Sequence, residues 1–163
     1  MNFWLKLLGL SVFTYLVFTK LIKFIARVNL PAFLNFFMKR VHNKISVVKE
    51  KHLKEAFEMV NTDNKTGKLE ILELGIGTGE NFRYFPANSN LTILDKTDAF
   101  LPYLKESINK HRNDLTISDL VVCSAENMNK IESNSMDVVI HTFVLCSIPN
   151  TNATLKEIYR VLK

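Results

Sequence analysis

The chain has 163 residues, 47% apolar and 23% charged, with 21 basic against 16 acidic side chains and two cysteines. That length and apolar content suit one compact domain with an appendage, and exclude a disordered tail or a collagen-like fibre. Two cysteines exclude a disulfide-stapled scaffold and a four-cysteine zinc module; Cys123 and Cys146 sit in the apolar runs LVVC and FVLC and read as buried, reduced thiols.

Charge is unevenly spread. Residues 1–51 hold nine basic side chains against Glu50 alone, a net of +8, while the remainder holds twelve basic and fifteen acidic, a net of −3. Between Lys6 and Lys20 run thirteen uncharged residues, LLGLSVFTYLVFT, preceded by Phe3 and Trp4 and followed by Lys20, Lys23 and Arg27. As a helix they reach about 20 Å, short of a hydrocarbon core near 30 Å, and about 25 Å if Lys6 snorkels and the count starts at Phe3. A second apolar patch, LPAFLNFFM from Leu30 to Met38, is expected to be parted from the first by the helix-breaking Pro31. Residues 1–41 therefore read as a membrane anchor, a single span, a hairpin or an interfacial helix, with the basic flank holding the rest of the chain in the cytosol. A cleaved signal peptide would need a small-x-small site after the apolar run, where Lys20-Leu21-Ile22-Lys23 stands. A nucleic-acid arm is disfavoured because these aromatics are too densely apolar for a solvated tail, so no nucleic-acid partner is expected.

Residues 42–66 read as an amphipathic helix and linker. Ile45, Val48, Leu53, Ala56, Phe57 and Val60 form a helical stripe, with Lys49, Glu50, Lys54 and Glu58 on other faces, and the polar stretch Asn61 to Lys68 ends it. Beyond Gly67, short apolar runs alternate with helical stretches, the pattern of parallel strands joined by helices. The expected strands are Leu69–Leu74, Leu91–Leu94, Asp119–Cys123 and Met136–His141. Phe100, Leu104, Ile108 and His111 mark a helix with Pro102 in its first turn, and a last helix starts near Asn152, with Thr154 and Glu157 at capping-box spacing.

The most specific stretch is ILELGIGTGENF, Ile71 to Phe82, where a buried-strand pattern runs into Gly75, Gly77 and Gly79. Glycines let the backbone turn tightly and approach a flat ligand. The third glycine follows the second by two residues, and Glu80 stands where a dinucleotide fingerprint wants a small residue and would bring negative charge toward a pyrophosphate. With Glu73 two residues before the loop, the pattern suits a cofactor that lacks phosphates and carries a cationic part. Asp95 ends the second strand twenty residues after Gly75, where a nucleoside-binding sheet places a carboxylate for ribose hydroxyls. After the third strand, Ser124-Ala125-Glu126-Asn127 reads either as a bed for a flat base or as a plain helix start. His141, at the end of the fourth strand, is open to two readings: a base, or a histidine satisfied by backbone.

From Glu73 to Lys163 the pattern ELGIGTG, ILD, SAEN, SMDVVIHTFVLCSI and YRVLK resembles the first half of a class I S-adenosylmethionine-dependent methyltransferase. The motifs LELGIGTGENF, AENM and VLCSI, with the hydrophobic arm, are most similar to the membrane-anchored methyltransferase-like 7 family, thiol S-methyltransferases of the endoplasmic reticulum and lipid droplets. The resemblance implies a Rossmann-like α/β fold, here a partial sheet of about four parallel strands with flanking helices over residues 67–163. It implies S-adenosylmethionine as cofactor, with Glu73, Gly75, Gly77 and Gly79 holding the methionine end and Asp95 the ribose. Lys96 would flank the adenine, Ala125 and Glu126 would lie near the base, and the backbone around His141 and Thr142 would close the pocket. Two departures are Ile76, where the branch commonly has cysteine, and Lys96-Thr97-Asp98 in place of a proline-containing turn. The family pattern continues past the last helix, so Met136–His141 is expected to form an exposed apolar edge of a truncated sheet unless a protein partner covers it.

The resemblance thus implies methyl transfer to a small apolar acceptor, an alkyl thiol, at a membrane of the endoplasmic reticulum or lipid droplet. No catalytic side chain is singled out. The competing expectations are a membrane-tethered binding protein whose shortened sheet no longer turns over, and an oxidoreductase using a dinucleotide, which Glu80 disfavours.

Overall fold

The computed structural model describes residues 2–63, 68–87, 89–111 and 115–163, with side chains described over 15–23, 32–60, 68–87, 89–110 and 115–163. The chain divides into two compact units, Met1–Met38 and Lys39–Lys163. The side chains of Phe3, Trp4, Lys6 and Arg27, and most of the expected loop at 61–68, fall outside the described residues.

Helix α1, Asn2–Lys44, runs through position 31 without a break. This corrects the expected division at Pro31. Proline removes one backbone donor and crowds one turn, a local cost of about 3 kcal/mol, whereas extending an existing helix adds a bond per residue on either side. In the first unit Tyr15, Phe18, Leu21, Ile22 and Phe33 are exposed, and Phe33 and Phe37 stack one turn apart with ring centroids at 6.3 Å. Among the described residues no helix is long and apolar enough to cross a membrane.

The second unit begins at the end of α1 and continues into α2, Ser46–Asp63. Leu53, Phe57 and Val60 face the core as their spacing requires, Phe57 meeting Phe85 edge to face at 5.9 Å. The stripe is rotated from the expected one: Val48 is exposed and Lys49, assigned to a solvent face, is buried.

Four strands follow: β1 Glu70–Leu74, β2 Asn90–Asp95, β3 Thr116–Val122 and β4 Val138–His141. All pair in parallel in the order β3-β2-β1-β4, so all four carboxyl ends lie along one margin. The chain steps outward from β1 to β3, then returns to lay β4 on the other side of β1. The central strands are fully buried because both faces are covered. Ile71, Leu91, Ile93, Val138 and Ile140 pack on one face with Phe57, Phe82, Phe85 and Leu104. On the other, Leu72, Leu74, Leu94 and Val121 pack with Met128, Met136 and Val161. By this alternation Glu73 points to the same face as Ile71, the side covered by α2.

Helix α3, Leu101–His111, carries Leu104 into the first core, with Pro102 in its first turn. Helix α4, Thr151–Val161, is capped by Asn150, whose side chain accepts from Ala153 N. The expected capping box is corrected: Thr154 is buried within the helix, and Glu157 accepts from Met128 N and binds Arg160. The strand β4 is an edge, yet the expected exposed apolar surface is absent there, since Met136, Val138 and Ile140 are all buried. What the edge presents is backbone. Both cysteines are free; against the expectation that both are buried, Cys123 is half-buried and Cys146, in the short 3-10 turn Leu145–Ser147, is exposed.

Candidate functional site

A buried strand that ends in a tight turn presents its backbone amides at the carboxyl margin of the sheet. Gly75, Gly77 and Gly79 all take positive φ, at 63°, 51° and 77°. Gly75 N donates to Leu94 O at 2.7 Å, tying the loop to β2. A Cβ on Gly75 would stand 2.3 Å from Val144 Cγ2, so this position has neither room nor a suitable backbone for a side chain, whereas a Cβ on Gly77 would meet nothing within 4 Å. The loop is therefore packed at its start and open in its middle.

Asp95, at the end of β2, turns its carboxylate to that loop. Oδ2 accepts from Gly77 N at 3.2 Å and Oδ1 from Thr97 N at 3.2 Å. Glu73, 2% exposed, accepts at Oε1 from Asn81 Nδ2 at 2.6 Å, and the same amide donates to Thr142 Oγ1 at 3.1 Å. This chain of contacts links the end of β1, the turn after the glycine loop, and the residue following β4. Burial pushes the Glu73 carboxyl up to about 8, against the opposing pull of the Asn81 hydrogen bond and the Lys49 charge.

The remaining sequence-read residues sit elsewhere on the same margin. Lys96 is exposed in the turn after Asp95, and His141 is exposed at the end of β4. Ala125 is buried in the second core. Glu126 accepts from Asn150 N at 2.7 Å and from Ser124 Oγ at 3.0 Å, joining the segment after β3 to the start of α4. Asn81 thus joins Glu73 to Thr142 by hydrogen bonds, Asp95 separately holds the Gly77 amide, and Ala125 and Glu126 form a third group.

Three residues were missed by sequence reasoning. Asn81 lies in the quoted motif, and its signal was that a buried carboxylate needs a donor nearby. His42 and Lys49 stand seven residues apart, two helical turns, and both are buried. Lys49 Nζ and His42 Nδ1 share a hydrogen bond at 2.6 Å. Lys49 lies over the Tyr84 ring at 5.2 Å, and His42 meets the edge of Phe143 at 5.8 Å. Burial brings Lys49 down to about 8, and burial with the Lys49 and Arg83 charges brings His42 down to about 4. Among the described residues no group of three His, Cys, Asp or Glu side chains is placed to hold a metal ion.

A parallel sheet that reverses direction beside β1, with a glycine loop and a strand-end aspartate at that point, is a Rossmann-like nucleoside-binding arrangement. Residues 72–163 match the family model described as the methyltransferase domain, and the chain belongs to the class I S-adenosylmethionine-dependent methyltransferase family. Thiol S-methyltransferase TMT1A of Homo sapiens is 41% identical over 98 residues, covering 60% of this chain and 40% of that protein. Thiol S-methyltransferase TMT1B of Mus musculus is 32% identical over 139 residues, covering 85% and 55%. The chain thus spans about half the length of the curated relatives it matches. The trans-methyltransferase CalH, solved in complex with SAH, superposes with a TM-score of 0.51 at 22% identity, over 70% of this chain and 36% of that one, and shares its fold.

The cofactor of this family, S-adenosylmethionine, fits the residues present. Glu73 Oε2 and Asn81 Oδ1 are buried oxygens without a hydrogen-bond partner; an ammonium group would donate to both and favour the ionised form of the Glu73 carboxyl. The open middle of the glycine loop leaves room for a ligand against the backbone. Each Asp95 oxygen accepts one backbone amide, Oδ2 from Gly77 and Oδ1 from Thr97, and keeps a second lone pair for a hydroxyl.

Proposed function

We propose that the chain transfers the sulfonium methyl group of S-adenosylmethionine to a small apolar acceptor, an alkyl thiol. The observation that carries this reading is the pair of partnerless buried oxygens, Glu73 Oε2 and Asn81 Oδ1, beside a loop that is open over Gly77. Glu73 and Asn81 would hold the ammonium end, Asp95 the ribose, and Lys96, Ala125 and Glu126 the adenine, with the backbone at His141 and Thr142 closing the cleft. The bound cofactor supplies a methyl group that is already electrophilic, so the chain's part is alignment and exclusion of water. The family match and the TMT1 relatives support methyl transfer over the tether reading and over a dinucleotide oxidoreductase.

The test is methyl transfer from isotopically labelled S-adenosylmethionine to an alkyl thiol and to the matching alcohol and amine. Label is expected in the thioether alone, at a rate that climbs with pH because the thiolate is the nucleophile. Label in the amine instead, or a flat profile between pH 6 and 9, would contradict a thiol acceptor.

The same reading makes the N-terminal helix an interfacial anchor at the endoplasmic reticulum or lipid droplet, with the second unit in the cytosol. Its support is the set of exposed Tyr15, Phe18, Leu21, Ile22 and Phe33 beside Lys20 and Lys23. The open backbone of β4 is the place where a protein partner would pair.

A further inference from the structure

The buried His42–Lys49 pair is not among the residues assigned to the cofactor. Burying a lysine and a histidine together is expensive, and at 2.6 Å two like charges in a desolvated space cannot coexist, so the pair stores at most one proton. It also sits beside the site. His42 touches Phe143, which follows Thr142 and adopts φ 59°, a left-handed conformation that a bulky residue rarely takes. The next residue, Val144, packs on Gly75. Lys49 feels the charge of Glu73 on β1.

Methyl transfer to a thiol forms the carbon–sulfur bond of the product and breaks that of the sulfonium, which keeps the electron pair, leaving the thiol's proton over. We propose that the His42–Lys49 pair takes this proton: the thiol S–H passes it to His42 Nε2 while Nδ1–H passes its own to the neutral Lys49 amine. The imidazole ends neutral, Lys49 ends as an ammonium, and the proton leaves to solvent between turnovers. This inference rests on the thiol-acceptor reading above. The charged and titratable groups facing the pair are Glu73 from β1, Glu80 from the turn after the glycine loop, and Arg83 and Tyr84 from the 3-10 turn Phe82–Tyr84.

The experiment uses the full chain with two acceptors, an alkyl thiol and an acidic aryl thiol that is ionised at neutral pH. Lys49→Arg keeps the positive charge but cannot give up its proton, and His42→Phe keeps a ring against Phe143 while removing the relay nitrogens. Cofactor affinity, measured calorimetrically, is expected to stay within about threefold of the parent for both. Alkyl-thiol turnover is expected to fall about 100-fold or more, in the range of lost acid–base assistance, while aryl-thiol turnover changes little. In the parent, alkyl-thiol turnover should level off above a midpoint set by Lys49, near pH 8; in the variants it should go on rising with the thiol's own ionisation. Equal losses on both acceptors, or an unchanged pH profile, overturn the relay and leave a structural pair. A parent chain that binds the cofactor but methylates neither thiol overturns the thiol reading itself.

Discussion

Gly75 and Gly77 place the same demand on the backbone in different surroundings, which makes them separable. Gly75→Ala adds a Cβ 2.3 Å from Val144 at φ 63° and should cost about 1–3 kcal/mol in denaturant unfolding. Gly77→Ala, at φ 51° with open space around it, should cost about 1 kcal/mol yet weaken cofactor binding at least tenfold, because its methyl would enter the space in which the proposal seats the cofactor. Equal stability losses with equal affinities would show that the loop's open middle is not the ligand's bed. Glu73 gives a pH signature. Its folded value of about 8 lies above the ordinary 4.5, so the fold binds a proton that the unfolded chain releases. The contribution to stability is complete below pH 4.5 and is lost as pH rises through 8. Glu73→Gln should flatten that fall when unfolding midpoints are measured from pH 5 to 9; an unchanged slope would mean that other groups set it. The acid, the glycines and Asp95 were legible because each occupies a spacing fixed by backbone geometry. Asn81 and the His42–Lys49 pair were not, because only folding shows which polar side chains lose water.

Strand positions followed from apolar periodicity, since the chain buries what it repeats: β1 and β2 emerged within a residue of their expected limits. Strand β3 starts at Thr116, three residues before expectation, because its mixed, largely exposed pattern carries little periodic signal. Lys49 defeats helical-wheel reasoning for a different reason, as a long charged side chain on an apolar face is invisible to a hydrophobicity count. Asn150 is the cap that the Thr154–Glu157 spacing concealed. Asn150→Ala should destabilise the chain by about 0.5–2 kcal/mol in thermal unfolding, whereas Thr154→Ser should leave Asn150's hydrogen bond to Ala153 intact. Insensitivity to Asn150→Ala would place the start of α4 under other control, such as the Glu126 contact to Asn150 N.

At the scale of the molecule, the chain forms two compact units, and the proposal gives them separate tasks, the basic N-terminal helix as anchor and the sheet as cofactor site. Residues 1–51 carry a net charge of +8, so the full chain should sediment with anionic vesicles at low salt and be partly released as salt screens the attraction. Complete release would argue that apolar contact adds nothing, and failure to bind at any salt would remove the anchor from the proposal. The central claim is tested most directly by titrating S-adenosylmethionine into the full chain in a calorimeter, alongside Asp95→Ala. Asp95 both secures the Gly77 amide and faces the ribose in this account, so the parent should bind one equivalent and the variant at least tenfold more weakly. An absence of heat with the parent chain, or equal affinity in the two, would contradict it.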